Sequence, residues 1–211
     1  MAERVMVVGA GGHAKVVIDV LRAAGHEVAA LFDDNAALHG QVFRGVPVLG
    51  AGADVVAHAA ANGLWYFLVA IGHNVTRLGI GRRLEAAGLV GLAAAHPSAV
   101  LAPGVVLGSG TVVMPGACIN ADTRIGAHGI VNTGARVDHD CALGDGVHLA
   151  PGVVLCGNVS VGELAFVGAG ATVIPGMSVG ARASVGAAAA VVRPVAADSK
   201  VRGVPARPYV E

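Results

Sequence analysis

The chain has 211 residues, 14 basic and 14 acidic side chains and no net formal charge, which speaks against nucleic acid as a partner, since that demands a basic stripe. It is very apolar, but the uncharged stretch from Ala86 to Ala121 is broken by Pro97, Pro103, Pro115 and several glycines, so it is not a membrane-spanning helix. Cys118, Cys141 and Cys156 lack any CxxC spacing, and no His and carboxylate pair has ligand spacing within one element, so neither a disulfide framework nor a metal site is expected.

In chain order, residues 4–9 predict a buried strand. They follow Met-Ala-Glu-Arg directly, without a secretory-signal pattern, which makes a reducing cytoplasm the expected compartment. Gly9-Ala10-Gly11-Gly12-His13 comes next, then a helix over about 14–24 closed by Gly25. A second strand over 27–32 ends on Asp33-Asp34 and completes a βαβ unit. A turn at Gly45-Val46-Pro47, a helix near 54–61, a strand over 64–71 ending at Gly72-His73-Asn74, a helix over 75–87 and a short strand over 89–94 follow. This alternation predicts a small Rossmann-like α/β domain with a parallel sheet over residues 1–95. Ligands of such sheets lie beyond the carboxyl ends of the strands, which gathers Gly11, Gly12, His13, Asp33, Asp34, Gly72 and His73 around one crevice. The glycine turn opens a helix N-terminus suited to a phosphate. It lacks the third glycine of the dinucleotide fingerprint, so a single nucleoside diphosphate fits better; a turn needed only for geometry stays open beside that reading.

Beyond His96-Pro97 the pattern changes. An aliphatic residue occupies every sixth position from Leu101 through Leu107, Val113, Ile119, Ile125, Val131, Val137 and Leu143 on to Val185 and Val191. Four residues after each stands a mostly small side chain, such as Thr111, Ala117, Thr123, Ala135 or Cys141. A period of six fits neither a helix nor a plain alternating sheet; it predicts a parallel β-helix whose triangular coils each take three hexads. This second domain covers residues 96–211, with the coils ending near Val192 and a turn-like tail at Gly203-Val204-Pro205-Ala206-Arg207.

Polar residues cluster on otherwise bland corners between Val131 and Leu149: Asn132, Asp138, His139, Asp140, Asp145 and His148. His139 stands two residues after an interior valine and should project outward. Residue type alone leaves two readings open, a general base oriented by Asp138 or Asp140, and a solvated turn. No Ser or Cys stands beside it as an evident nucleophile, which favours direct transfer over a covalent intermediate.

Gly11-Gly12-His13, Asp33-Asp34, Ile71-Gly72-His73-Asn74, the hexads with Asn132-Thr133-Gly134 and Val137-Asp138-His139-Asp140-Cys141, and the Gly203-Val204-Pro205-Ala206 tail together resemble the sugar acetyltransferases of the sialic-acid O-acetyltransferase-like family. That family includes N-acetyltransferases of UDP-linked 4-amino-4,6-dideoxy sugars and of GDP-perosamine. The resemblance implies left-handed coils, a homotrimer with active sites between subunits, and acetyl-CoA as co-substrate. It implies that His139 is the general base, supported by Asp140, with Asn132 near the reacting group. It further implies that Gly11, Gly12, His13, Asp33, Asp34 and Gly72 hold the nucleotide sugar, and that His148, Ala169 and Ala187 contact acetyl-CoA. Transfer to a 4-amino group is the expected reaction. O-acetylation of a sialic-acid-type hydroxyl, and a non-catalytic nucleotide-sugar-binding trimer, are the alternatives.

Overall fold

A computed structural model describes residues 2–209. Its N-terminal sheet begins with β1 (Arg4–Val8), flanked by parallel partners β2 (Glu27–Phe32) and β5 (Tyr66–Val69). Helix α1 (Gly12–Ala23) joins β1 to β2 and buries Ala14, Val17, Ile18, Val20 and Leu21, which recur at helical spacing. It starts two residues earlier than expected because Gly11, in extended conformation, is its N-cap. Gly9 has φ +109, and a Cβ there would stand 2.9 Å from the Ala70 carbonyl oxygen, so only glycine lets β1 end this close to its neighbour.

The turn expected around Gly45-Val46-Pro47 is the tip of a hairpin, with Val46 and Pro47 already in its second strand. Arg44 and Gly45, both at positive φ, join β3 (Val42–Phe43) to β4 (Val46–Gly50), and β4 pairs parallel with β2. The sheet order is β3-β4-β2-β1-β5-β6, with β6 at Val90–Gly91; the sheet is thus parallel except for one antiparallel edge pair. Helices α2 (Val55–Asn62) and α3 (Asn74–Ala86) complete the domain.

The rest of the chain is a triangular prism of two-residue strands, each pairing parallel with the strand 18 residues on, as Val112–Val113 does with Ile130–Val131. Of the sixteen periodic aliphatics fourteen are buried; Leu101 and Leu107 are not, because no coil stacks beneath them on their faces. The prism has three faces. One, here called the docked face, runs from Ala94–Ala95 through Ile130–Val131, His148–Leu149 and Phe166–Val167 to Lys200–Arg202. The second runs from Val100–Leu101 through Arg136–Val137 to Ala190–Val191, and the third from Val106–Leu107 through Ala142–Leu143 to Ser178–Val179. The coils do not stop near Val192. Arg193-Pro194 shortens one hexad by two residues, after which Val195 and Val201 resume as buried positions and Lys200–Arg202 adds a parallel strand to the docked face.

The N-terminal domain sits on the docked face. Ala14, Val17, Ile18 and Leu21 of α1 share one apolar cluster with Ala94, Val112, Met114 and Ile130 of the prism. Along the adjoining edge, Asn74 Nδ2 donates to the carbonyls of Leu164 (2.9 Å) and Ala165 (3.1 Å). His128, wholly buried, inserts its ring against Phe67, with centroids 6.0 Å apart. A Cβ on Gly81 would fall 2.4 Å from that ring, so the plug fits only a glycine. Among the described residues, no helix is long and apolar enough to cross a membrane.

Candidate active site

His139 and Asp140 form the corner between the second and third faces, and the interior of the prism fixes that corner from behind. The hydroxyl of fully buried Thr123 donates to the Asp138 carbonyl at 2.8 Å and accepts the Cys141 N–H at 3.2 Å. Asp138 Oδ1 accepts from Asn120 Nδ2 (2.8 Å) and from the His139 N–H (2.9 Å). Asp140 takes a left-handed conformation (φ 59), which turns its carboxylate back toward the histidine. His139 Nδ1 then lies 2.8 Å from Asp140 Oδ2, the side chains being 59% and 61% exposed.

The hydrogen bond to Asp140, then the Asp138 charge, raise the His139 pKa above the ordinary imidazole value. With Nδ1–H donating to Asp140, Nε2 carries the free lone pair, as a proton acceptor requires. Directly above, Gly157 leaves room for the ring: a Cβ there would be 2.7 Å from both Cε1 and Nε2. A cavity of about 280 Å³ opens beside the corner, lined by Cys118, Asn120, Arg136, Asp138 and Cys156 among others.

The other expected residues gather elsewhere. Gly11 and Gly12 open α1 with nothing within 4 Å of a Cβ at either, leaving the helix N-terminus clear. His13, one residue on, faces His148 with ring centroids 6.4 Å apart. His148 Nε2 lies 3.2 Å from Asn132 Nδ2, and its Nδ1 lies 3.4 Å from the Gly72 carbonyl. Burial first, then the nearby Arg77 charge, push the pKa of both His13 and His148 down to about 4. Ala169 and Ala187 are exposed one above the other on the edge between the docked and second faces, next to this group. A cavity of about 400 Å³ lies on the far side of the Gly72 loop, lined by Gly72, His73, Asn74, Val75, Phe166 and Arg182 among others.

The acidic pair is largely committed to the fold. Asp33 accepts from the Ala10 N–H (2.7 Å) on one oxygen and the Asn35 N–H (2.9 Å) on the other, while Asp34 Oδ1 accepts from the Gly52 N–H at 2.9 Å. Asp33 therefore shapes the crevice by tying its loops together, and Asp34 keeps one oxygen free of these bonds. Neither Arg77 nor Gly157 stands out in the sequence. Arg77 reads there as an ordinary charge on a helix, and Gly157 as one corner glycine among many.

One relation follows from topology alone. In a three-sided prism the edge between the second and third faces is opposite the docked face. His139 thus stands across the prism from Gly11, His13, Gly72 and His148 of its own chain.

Stacked hexads, a docked α/β domain with an open helix N-terminus, and a carboxylate-supported histidine on a prism edge define a hexapeptide-repeat acyltransferase. Residues 4–84 match the PglD N-terminal domain family. Across the whole chain the fold is similar to PerB from Caulobacter crescentus, solved in complex with CoA and GDP-perosamine, with 47% identity, 100% of this chain and 99% of that one covered, and a TM-score of 0.93. It is also similar to the acetyltransferase domain of PglB from Neisseria gonorrhoeae (33% identity, 98% and 100% covered, TM-score 0.91) and to WeeI from Acinetobacter baumannii (30%, 99% and 100%, 0.86). The chain spans about a quarter of the length of a curated relative, an uncharacterized protein of Acanthamoeba polyphaga mimivirus; that match is 31% identical over 122 residues, 58% of this chain and 23% of the relative. The chain belongs to the PglD family of left-handed β-helix sugar N-acetyltransferases.

Proposed function

We propose that this chain transfers the acetyl group of acetyl-CoA to the 4-amino group of a GDP-linked 4-amino-4,6-dideoxyhexose of the GDP-perosamine class. The nucleotide assignment is supported by whole-chain identity of 47% to the protein solved with GDP-perosamine, against 33% to the PglB acetyltransferase domain. In this reading the helix N-terminus at Gly11 and Gly12 receives the diphosphate, and His139 Nε2 takes a proton from the sugar amine as its nitrogen attacks the thioester carbonyl. The tetrahedral intermediate collapses with expulsion of the CoA thiolate, leaving the amide. Asp140 keeps the imidazole oriented and stabilises its protonated form.

The observation that carries the reading is the position of His139 on the edge opposite the docked face, with its side chain exposed and its Nδ1 held by Asp140. A sugar held by the N-terminal domain cannot meet the His139 of its own chain through the filled prism. The reacting groups come together between neighbouring copies, in a homotrimer. Thiol release from acetyl-CoA is to be measured against GDP-, UDP- and dTDP-linked 4-amino sugars, with a sialic-acid hydroxyl control. Turnover confined to the GDP-linked amine is expected; turnover confined to the hydroxyl control overturns the reading. Sedimentation gives the assembly state. Co-expression of Gly11→Asp with His139→Ala, each inactive alone, restores activity only where one site draws on two subunits.

A further inference from the structure

The seam between the two domains is organised by one buried cation. Arg77, on the first turn of α3, is 1% exposed, and among the described residues no carboxylate pairs with it. Its guanidinium donates instead to oxygens of both domains. Nη1 reaches the carbonyls of Ile71 (3.1 Å) and Gly72 (3.0 Å), Nε reaches that of His128 (2.8 Å), and Nη2 reaches Asn74 Oδ1 (3.0 Å) and the carbonyls of Gly146 (2.8 Å) and Val147 (3.4 Å). A lone buried charge is costly unless its hydrogen bonds are filled, and here a planar fork of five N–H donors fills them as a lysine could not.

The Gly72 carbonyl is shared: the same oxygen that binds Arg77 faces His148 Nδ1. An amide N–H of Asn132 faces the other ring nitrogen. A carbonyl can only accept and an amide nitrogen can only donate, which fixes His148 as the neutral tautomer with the proton on Nδ1 and the lone pair on Nε2. The Asn132 carbonyl is in turn held by the Thr133 N–H at 2.8 Å. Among the described residues, the charged and titratable groups around His148 are Arg77 from α3 and His13 from α1; the prism contributes Asn132 and the edge-on Phe166 ring, and no carboxylate.

We propose that Arg77 is a positioning residue for acetyl transfer. It clamps the Gly72 loop to the prism so that His148 is held neutral in one tautomer and orients the Asn132 amide beside the cleft. The positive charge of Arg77 works in the same direction, since it opposes protonation of both His148 and His13. The link to catalysis rests on the acetyltransferase reading; the tautomer itself does not.

The experiment is imidazole 15N–1H correlation spectroscopy on the protein without substrate, paired with kcat and KM against pH for wild type, Arg77→Met, Arg77→Lys and Met114→Ala. In wild type His148 gives a single Nδ1–H signal that does not titrate above pH 5. Arg77→Met mixes the tautomers and raises the His148 titration toward the ordinary imidazole range, and kcat at pH 7 falls about tenfold, as expected for loss of orientation. Arg77→Lys keeps the ring neutral but mixes its tautomers. Met114→Ala loosens the same seam through its apolar cluster without touching Arg77 and leaves the His148 titration in place, which separates positioning from plain structure. A His148 signal of unchanged tautomer and titration in Arg77→Lys, or in a folded Arg77→Met, overturns the proposal. Because the spectra need no substrate, a wrong substrate assignment would leave that result standing.

Discussion

Replacing Gly157 with alanine tests the proposed role of the His139 corner with a single methyl group. Gly157 does not occupy the left-handed region, so alanine brings no backbone strain. The new Cβ would stand 2.7 Å from Cε1 and Nε2 of His139. Reaching ordinary van der Waals contact moves the ring by at least about 0.7 Å, and a 59% exposed side chain can swing that far without disturbing the core. Misplacement of a reacting group by roughly 1 Å costs about 10²-fold, so kcat should fall about 10- to 100-fold with the KM for the nucleotide sugar little changed. The melting temperature should hold or rise slightly, because a compatible Gly→Ala change restricts the unfolded chain by about 0.4–1 kcal/mol. The assay is steady-state thiol release with a thermal melt, repeated in the His139→Ala background, where the added methyl has no ring to displace. Wild-type kcat in Gly157→Ala, or an equal loss when His139 is already absent, would refute the placement of His139 Nε2 as the proton acceptor.

His139→Ala itself should lower kcat by about 10²–10⁴-fold while sedimentation shows the wild-type assembly. Asp140→Asn keeps a residue that tolerates positive φ but replaces the ionised hydrogen-bond acceptor that raises the His139 pKa with a neutral amide, so the acid limb of the pH–rate profile should move to lower pH; an unmoved limb would mean that Asp140 does not tune the base. His13 and His148 both have pKa values lowered to about 4, so between 6.5 and 4 the unfolded chain binds more protons than the folded one. Urea titrations should therefore show stability falling as pH drops through that window, by on the order of a few kcal/mol, and a flat profile would contradict their burial. Gly81→Ala drives a methyl into the wholly buried His128 ring and should destabilise by about 1–3 kcal/mol, read as a lower urea midpoint.

The prism was legible because only one architecture puts an aliphatic residue at every sixth position, and the buried series from Val113 to Val191 follows that spacing. The βαβ unit was equally plain from the glycine turn and the apolar stripe of α1. What stayed hidden had local causes. Pro47 disguised β4, although Val46-Pro47-Val48-Leu49-Gly50 alternates buried and exposed as a strand does. The two residues missing from the hexad at Arg193-Pro194 broke the count and hid the last coil. At the site, the His139–Asp140 contact is between neighbours in sequence and could be anticipated, as could an outward-facing histidine. The partners of Arg77 lie up to 70 residues away, and no one-dimensional pattern distinguishes a helix arginine facing solvent from one facing six oxygens.

The prism also bears on why the two halves of the site belong together although they lie on opposite sides of one chain. His139 lies between the strands that end at Val137 and begin at Ala142, and His148 opens the next strand, so the two histidines lie half a coil apart, about 2.4 Å along the axis at the strand spacing of a stacked sheet. In the proposed trimer, rotation about an axis parallel to the prism leaves height unchanged. It brings the His139 edge of one copy to within about half a coil of the His148, Asn132 and Gly72 seam of the next. Slipping by a whole coil would shift them by about a further 4.8 Å, more than the roughly 3–3.5 Å at which reacting atoms must meet. The docked domain supplies the second constraint. Arg77, Asn74 and His128 tie it to coils at and next to that level, so the N-terminal crevice cannot slide along the prism independently of the coil that carries His139. A repeat fold that could in principle present its histidine at any height thereby presents it at one, and the buried seam sets which.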